Sequence, residues 1–347
     1  MSATATPPPL DVPPSGERAR RLTENIFRIR ELGIVLALAL LILVTAVIEP
    51  RFIHLDSLQD LLRNASIIAV MAAGQTLVLV TRNVDLSVGS VLGLAAFMSG
   101  DMLSSHGTPI LVVILLAILL GAGCGLLNGI LVTFGRVPAL VVTLGTMYAF
   151  RGLAFLWTDG RQINAETLPD TFLNIGTNTI LDVPTLAIIA LVAVLLVGFY
   201  LRDFRSGREL YAIGSNPDAG RLAGIKIDRR VALAFVVSGA LAGLAGALFT
   251  ARYGTVDATA GQGYELNVIA AAVVGGVAIT GGVGSVYGAA IGAVLMGCIT
   301  SSLIFLKVDS FWQQAAVGAL LLIAIAFDRF IGLRLDAALR QRSARRV

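Results

Sequence analysis

The chain has 347 residues, of which 56% are hydrophobic and only 14% charged, with a mean hydropathy of +0.85. A soluble domain carries nearer a quarter charged residues, so too little polar surface exists here to cover a globule, and lipid must be the solvent for much of the chain. The formal charge of +4 does not point to nucleic acid: the positive residues sit in the tails and one long loop, where membrane topology puts them, and no nucleic-acid-binding signature accompanies them.

The first 31 residues open with a Pro-rich stretch, MSATATPPPLDVPPSG, and continue with Arg18, Arg20, Arg21, Arg28 and Arg30. This composition predicts a disordered basic tail. The apolar run Leu32–Ile48 follows. Its position mimics a signal peptide, but Glu49, Pro50 and Arg51 come next instead of a small-residue cleavage site, so it reads as a retained first span.

Ten hydrophobic segments are expected in all: 32–48, 65–80, 87–103, 109–134, 138–157, 185–201, 231–250, 266–279, 285–305 and 311–327. Lipid offers no hydrogen bonds to a backbone, so these segments should be helices. The alternating ~10-residue pattern of a β-barrel is absent. Segment 266–279 is short and runs into Thr280, Gly281 and Gly282, which leaves a half-helix as the alternative to a full crossing. The expected fold is therefore all-α, a polytopic transmembrane helical bundle of about ten spans. Its parts are the tail 1–31, a membrane domain 32–328 and a second basic tail 329–347.

Lys and Arg give the orientation. Loop 202–230 holds Arg202, Arg205, Arg208, Arg221, Lys226, Arg229 and Arg230, and the last residues hold Arg329, Arg334, Arg340, Arg342, Arg345 and Arg346. The opposite loops, 49–64, 104–108, 158–184, 251–265 and 306–310, hold only Arg51, Arg63, Arg161, Arg252 and Lys307. Ten spans with both termini cytoplasmic satisfy the positive-inside rule. A parallel internal repeat is suggested by VGSVLG at Val88–Gly93 and VGSVYG at Val283–Gly288, each at the start of a helix leaving the same side.

Small residues shape the second half. Gly239, Gly243 and Ala247 recur every four residues and flatten one helix face for a close neighbour. Gly275, Gly276, Gly281, Gly282 and Gly284 permit turns or a break. Cys124 and Cys298 lie inside apolar runs and read as small buried hydrophobes. His54 and His106 fall in outer loops and form no metal or nucleophile set.

Polar residues within or between the apolar segments are the functional candidates. Asn83 and Asp85 lie between two apolar segments without a long hydrophilic loop. Asp85 can cap the next helix through its N–H groups, or act in gating or solute passage. Gln75 and Asn128 sit within apolar runs, where hydrogen bonding between helices is the plain reading. Thr143 and Arg151 share segment five; Arg151 can snorkel outward, pair with another helix or line an outer vestibule. In loop 202–230, Asn216 or Asp218 can cap a short helix with Pro217 in its first turn, Ala219, Leu222 and Ala223 give it an apolar side, and Gly224 can end it. Such a helix has no lipid to bury in, and a partner subunit's groove would suit it.

At these stretches the chain resembles the permease family of bacterial ATP-binding-cassette importers for monosaccharides, the ribose, xylose, arabinose, rhamnose and autoinducer-2 group. The matching stretches are NVDLSVGS at Asn83–Ser90, VPALVVTLGT at Val137–Thr146, AIGSNPDA at Ala212–Ala219, SGALAGLAG at Ser238–Gly246, GYEL at Gly263–Leu266, Val274–Gly276 and GGVGS at Gly281–Ser285, in the family's order. Arg82 replaces the glycine usual in many ribose-type members. With Tyr148–Arg151 and Trp157 it leans toward the rhamnose or autoinducer-2 branch. The resemblance implies a bacterial inner-membrane permease paired with a second, identical or homologous permease. It also implies ABC ATPase subunits that use ATP and Mg, and a periplasmic or lipid-anchored solute-binding protein. By the same resemblance segment 212–224 occupies the place of the coupling helix, with Gly214, Asn216, Asp218, Ala219 and Gly224 as coupling residues. The chain has no GxxxxGK[ST] phosphate loop, so ATP hydrolysis, and any cofactor, is expected in the partner. An ion-coupled secondary transporter is the alternative; it would use buried carboxylates, of which Asp85 is the candidate.

Overall fold

A computed structural model describes residues 39–309 and, beyond them, Trp312, Ala315, Gly318, Ala319 and Leu322. Residues 32–38 of the first segment, most of the tenth and both basic tails lie outside the described residues.

Where a backbone must satisfy its own hydrogen bonds, helices follow. They are α1 (Ala39–Ile48), α2 (Leu55–Leu79), α3 (Val88–His106), α4 (Ile110–Thr133), α5 (Ala139–Thr158), α6 (Asp170–Thr177), α7 (Thr185–Asp203), α8 (Arg205–Ser215), α9 (Pro217–Leu222), α10 (Ile227–Tyr253), α11 (Tyr264–Val274) and α12 (Val286–Phe305). Seven of them, α2, α3, α4, α5, α7, α10 and α12, are long and apolar enough to cross a membrane. The all-α expectation holds apart from a two-residue hairpin, Thr179–Ile180 with Val183–Pro184. Helix α2 begins ten residues before the expected segment. Its first turns alternate Asp56, Gln59, Asp60 and Arg63 with Leu58, Leu61 and Leu62, an amphipathic pattern too polar for a hydropathy window.

The helices alternate between two ends. At the basic end lie the α2–α3, α4–α5 and α11–α12 turns together with α8 and α9. At the far end, Arg63 of α2 donates to the Thr177 carbonyl, Arg252 of α10 pairs with Asp60, and Arg161 pairs with Asp101 of α3. His54 and His106 are also there. Both copies of the VGS repeat sit where helices leave the basic end, α3 and α12.

Helix α10 is the hub, packing on α2, α3 and α4. A Cβ on Gly121 of α4 would strike the carbonyl oxygen of Gly239, one on Gly125 that of Phe235, and one on Gly129 the backbone of Ala232. In return Gly239 abuts the Gly121 carbonyl, Gly243 that of Ala117, and Ala247 joins Ala117 in a buried cluster. The flat face expected from the four-residue spacing is thus spent on α4. The outer side of α4 shows Leu111, Leu115, Leu119 and Leu126 to lipid.

Replacing Gly121 by Val should therefore destabilise the chain by about 1–3 kcal/mol or more. Gly123→Val, which meets no atom within 4 Å, should leave the melting temperature in detergent nearly unchanged. Equal melting of the two variants would refute the backbone contact.

Candidate functional site

A buried polar chain crosses the bundle near the basic end. The Thr146 hydroxyl of α5 donates to Asn128 Oδ1 of α4 (2.7 Å), Asn128 Nδ2 donates to Ser87 Oγ (2.8 Å), and Ser87 Oγ and its backbone N–H donate to Asp85 Oδ1 (2.7 and 2.9 Å). Thr143 adds a bond to the Val84 carbonyl (3.2 Å). Of the six candidates within or between the apolar segments, the structure unites Asp85, Asn128 and Thr143, and it adds Ser87 and Thr146. Asp85 bonds the N–H of Ser87 just before α3, as a cap would, and it also receives the network from two other helices. Asn83 bonds only within its own turn, to Thr81. Gln75 is fully buried in α2 with neither amide atom hydrogen-bonded, so the expected interhelix bond is not made.

Arg151 lies apart from this network and corrects two expectations. Loop 251–265 does not stay on the far face, and Arg151 does not reach outward. Residue 256 bridges Ile163, which packs on Gly100 of α3; the Ala260 carbonyl lies against Gly93, and Gly261 against Gly89. The strand of chain thus descends along α3 past eleven residues, about 16 Å at 1.5 Å per residue, or half of a ~30 Å hydrocarbon core. Helix α11 then continues to the basic end with only 11 residues, the half-helix alternative. The backbone of the descending strand needs partners, and Arg151 Nη1 donates to the Ala258 and Ala260 carbonyls (3.0 and 2.5 Å). Gly261 and Gly263, at φ +74° and +84°, turn the strand into α11.

Glu265, at the start of α11, accepts from the Gly263 N–H (3.2 Å), and its carboxylate lies against Gly89 in the first turn of α3. Gln262 and Leu266 beside it are exposed. The sequence reading missed Glu265 and Gln262. The one available signal was the paired glycines before GYEL, a turn followed by an acidic first helical turn. Asp101, near the far end of α3, is a second acid inside a span and is paired with Arg161.

At the basic end the expected loop is nearly all helix. Helix α8 buries Gly207, Leu210, Ile213 and Gly214, a helical face. Glu209 fastens it to α10, receiving Arg230 Nε (2.6 Å) and Arg205 Nε (2.9 Å). The Arg230 hydrogen bond above all holds this carboxyl below the usual carboxylate range. The Tyr211 hydroxyl donates to the Gly284 carbonyl (3.0 Å), and burial pushes its pKa up to about 12.

Helix α9 follows at once. Asn216 caps it, its Oδ1 accepting from the N–H groups of Asp218 and Ala219 (both 3.1 Å). Pro217 takes the first position, and Gly224, at φ +78°, follows the C-terminal turn. Asp218 pairs with Arg221 on the outer side, and Leu222 is 92% exposed. Of the expected coupling residues, Asn216, Asp218, Ala219 and Gly224 belong to this knob. Gly214 does not: it lies inward, where a Cβ would strike the Val80 carbonyl and Gly282.

Comparison with known proteins gives a consistent picture. The family model for the permease component of branched-chain amino acid transport systems matches residues 57–325. The chain is 37% identical over 301 residues to the ribose import permease protein RbsC of Haemophilus influenzae, covering 86% of this chain and 93% of that one. It is 36% identical over 312 residues to the autoinducer 2 import system permease protein LsrC of Photorhabdus laumondii, covering 90% and 93%. It is 36% identical over 300 residues to RbsC of Bacillus subtilis, covering 86% and 93%. No solved structure matches.

Two outcomes check this geometry. In an Arg151→Met background, a cysteine at Thr259 should react with a water-soluble maleimide several-fold faster than with Arg151 present; an unchanged rate would mean that Arg151 does not hold the loop. Because the folded-state pKa of Glu209 is depressed, its contribution to stability is full above the unfolded pKa and is lost as pH falls through the folded one. The melting difference between the native chain and Glu209→Gln should therefore be constant around neutral pH and close only below the ordinary carboxylate range. A difference independent of pH would sink the ion-pair assignment.

Proposed function

Because the chain belongs to the family of branched-chain amino acid transport system permease components, we propose that it forms the translocation pathway of an ATP-binding-cassette importer for a monosaccharide or similar small polar solute. It is a multi-pass inner-membrane permease. The basic end faces the cytoplasm, in line with the positive-inside rule, and ten spans put both termini there. Partner ATPase subunits supply the energy, since the chain has no phosphate loop of its own. A second permease completes the pathway, and a solute-binding protein delivers at the far end.

The observation that carries this reading is α9. A capped helix holding an exposed Leu222 outside the lipid gains nothing alone, and burial of such a side chain in a partner's groove is worth about 2 kcal/mol. The pathway runs along the descending strand. Gln262 is exposed about half way through the bundle; a polar side chain there faces water or protein, not hydrocarbon. Glu265 and Arg151 flank it. Hydroxyl groups of a sugar suit such donors and acceptors, and a neutral solute needs no fixed countercharge. Relatives named for ribose and for autoinducer 2 stand at 37% and 36% identity. Arg82, Arg151 and Trp157 favour the rhamnose or autoinducer-2 type over ribose or xylose.

Transport requires two packings of the bundle, and moving such an equilibrium from 1:99 to 99:1 takes about 5.5 kcal/mol of differential binding. Gly224→Arg or Asn216→Trp should abolish uptake in a strain lacking other routes while membrane insertion stays intact. Persistent uptake in these variants would show that α9 is not the coupling element. Uptake that collapses with an uncoupler while ATP is maintained would instead favour an ion-coupled carrier.

A further inference from the structure

Arg82 occupies a position its side chain should not favour. It ends α2 in a left-handed turn: its N–H bonds the Leu79 carbonyl (2.9 Å), the Asn83 N–H bonds that of Val78 (3.3 Å), and its φ is +67°. This is the closure that glycine normally serves, because a Cβ is disfavoured there. An arginine in that place is strained unless its side chain returns something.

Its guanidinium reaches α8. Nε donates to the Gly214 carbonyl (2.5 Å) and Nη2 to the Ser215 carbonyl (2.7 Å). These are the last two residues of α8, whose final turn carries no basic residue of its own. Two charge-assisted bonds there satisfy orphan carbonyls and oppose the negative end of the helix dipole. Asn216, the cap of α9, is the next residue.

The same spot joins a third segment. The Gly282 N–H donates to the Val80 carbonyl (2.8 Å), and a Cβ on Gly281 would strike Arg82 itself, while one on Gly282 would strike Ser215. The end of α2, the α8–α9 joint and the turn after α11 therefore meet around Arg82, with Gly214 directly against the Val80 backbone and Gly282 against that of Ser215.

We infer that Arg82 is a positioning residue that transmits movement of α9 to α2 and to the half-helix α11. The inference rests on the importer reading for its direction of work, though not for the joint itself. Movement of α9 displaces Ser215, and the guanidinium carries that displacement to the turn holding Asp85 and to Gly281. Glycine at this place would relieve the backbone and leave the joint open.

The test uses Arg82→Gly and Arg82→Lys in the full chain. With Cys124 and Cys298 replaced, spin labels at Leu222 and Phe134 report the α9 position in the purified protein. Arg82→Gly should melt no lower than the native chain yet broaden the distance distribution, and Arg82→Lys, which lacks the fork, should narrow it only in part. In liposomes with the ATPase and binding protein, Arg82→Gly should keep hydrolysis but import at least ~5-fold less solute per ATP. An unchanged distribution and an unchanged import ratio would overturn the inference, as would parallel loss of hydrolysis and melting temperature, which marks a scaffold residue. Failure of the native complex to import with ATP would overturn the importer reading and leave the distance measurement to judge the joint.

Discussion

Lipid gives helices no hydrophobic reason to associate, because acyl chains solvate leucine as well as another helix does. The bundle is therefore held where backbone meets backbone. Gly121 and Gly125 of α4 against Gly239 and Gly243 of α10, and Gly129 against Ala232, bring two helices into contact over several turns. Dispersion at this range grows with the number of atoms in contact, and only glycine and alanine allow so many. The same device recurs between α11 and α12, where Gly275 faces Gly288 and Gly292 faces Ala271. Helix α11 is too short to be anchored by two membrane surfaces, so this contact fixes it.

Polar groups then set which helices move together. The line Thr146, Asn128, Ser87, Asp85 links α5, α4 and the start of α3 through bonds of 2.7–2.8 Å. Inside a low-dielectric bundle each of these groups is costly unless paired, so the line resists separation. Arg151 does comparable work for the descending strand, whose carbonyls would otherwise be unpaired in a region with little water. The amide of Gln75 and the hydroxyl of Ser238 are left unbonded.

The sequence was most legible where hydropathy is strong. The spans at α3, α4, α5 and α7 fall within a few residues of expectation, and the short helix with Pro217 in its first turn and Gly224 at its end follows from local chemistry, which leaves the cap open between Asn216 and Asp218 until the structure assigns it to Asn216. Three features escaped. Helix α8 was hidden in a basic loop because its buried face uses Gly207, Leu210, Ile213 and Gly214, of which two carry no side chain to raise a hydropathy average. The descending strand reads as an outer loop because Thr255–Gly263 is short, small and mixed, and the partners that hold it in place, Ile163 and Arg151, lie on other segments. Arg151 looked like a residue that snorkels; nothing within α5 announces two carbonyls more than a hundred residues away. Long-range partners of this kind leave no periodic trace.

The value of such joints lies in stiffness. In the coupling role proposed for α9, a push on one short helix must reach groups many ångströms away, and a compliant linkage would dissipate that push in side-chain rotamers. Contacts through long side chains are compliant, since each torsion has several wells within reach of thermal energy. Backbone against backbone has none of these freedoms. That the α8–α9 joint connects inward through Gly214, Gly281 and Gly282, and through one guanidinium fixed at two points, concentrates movement of α9 on α2 and α11. Helices α4 and α5 are reached through α10, which touches α9 and packs on α4, and through the Asp85 line. The half-helix beside the descending strand is thus the element on which a displacement of α9 acts first, and the polar line then determines how far the rest of the bundle follows.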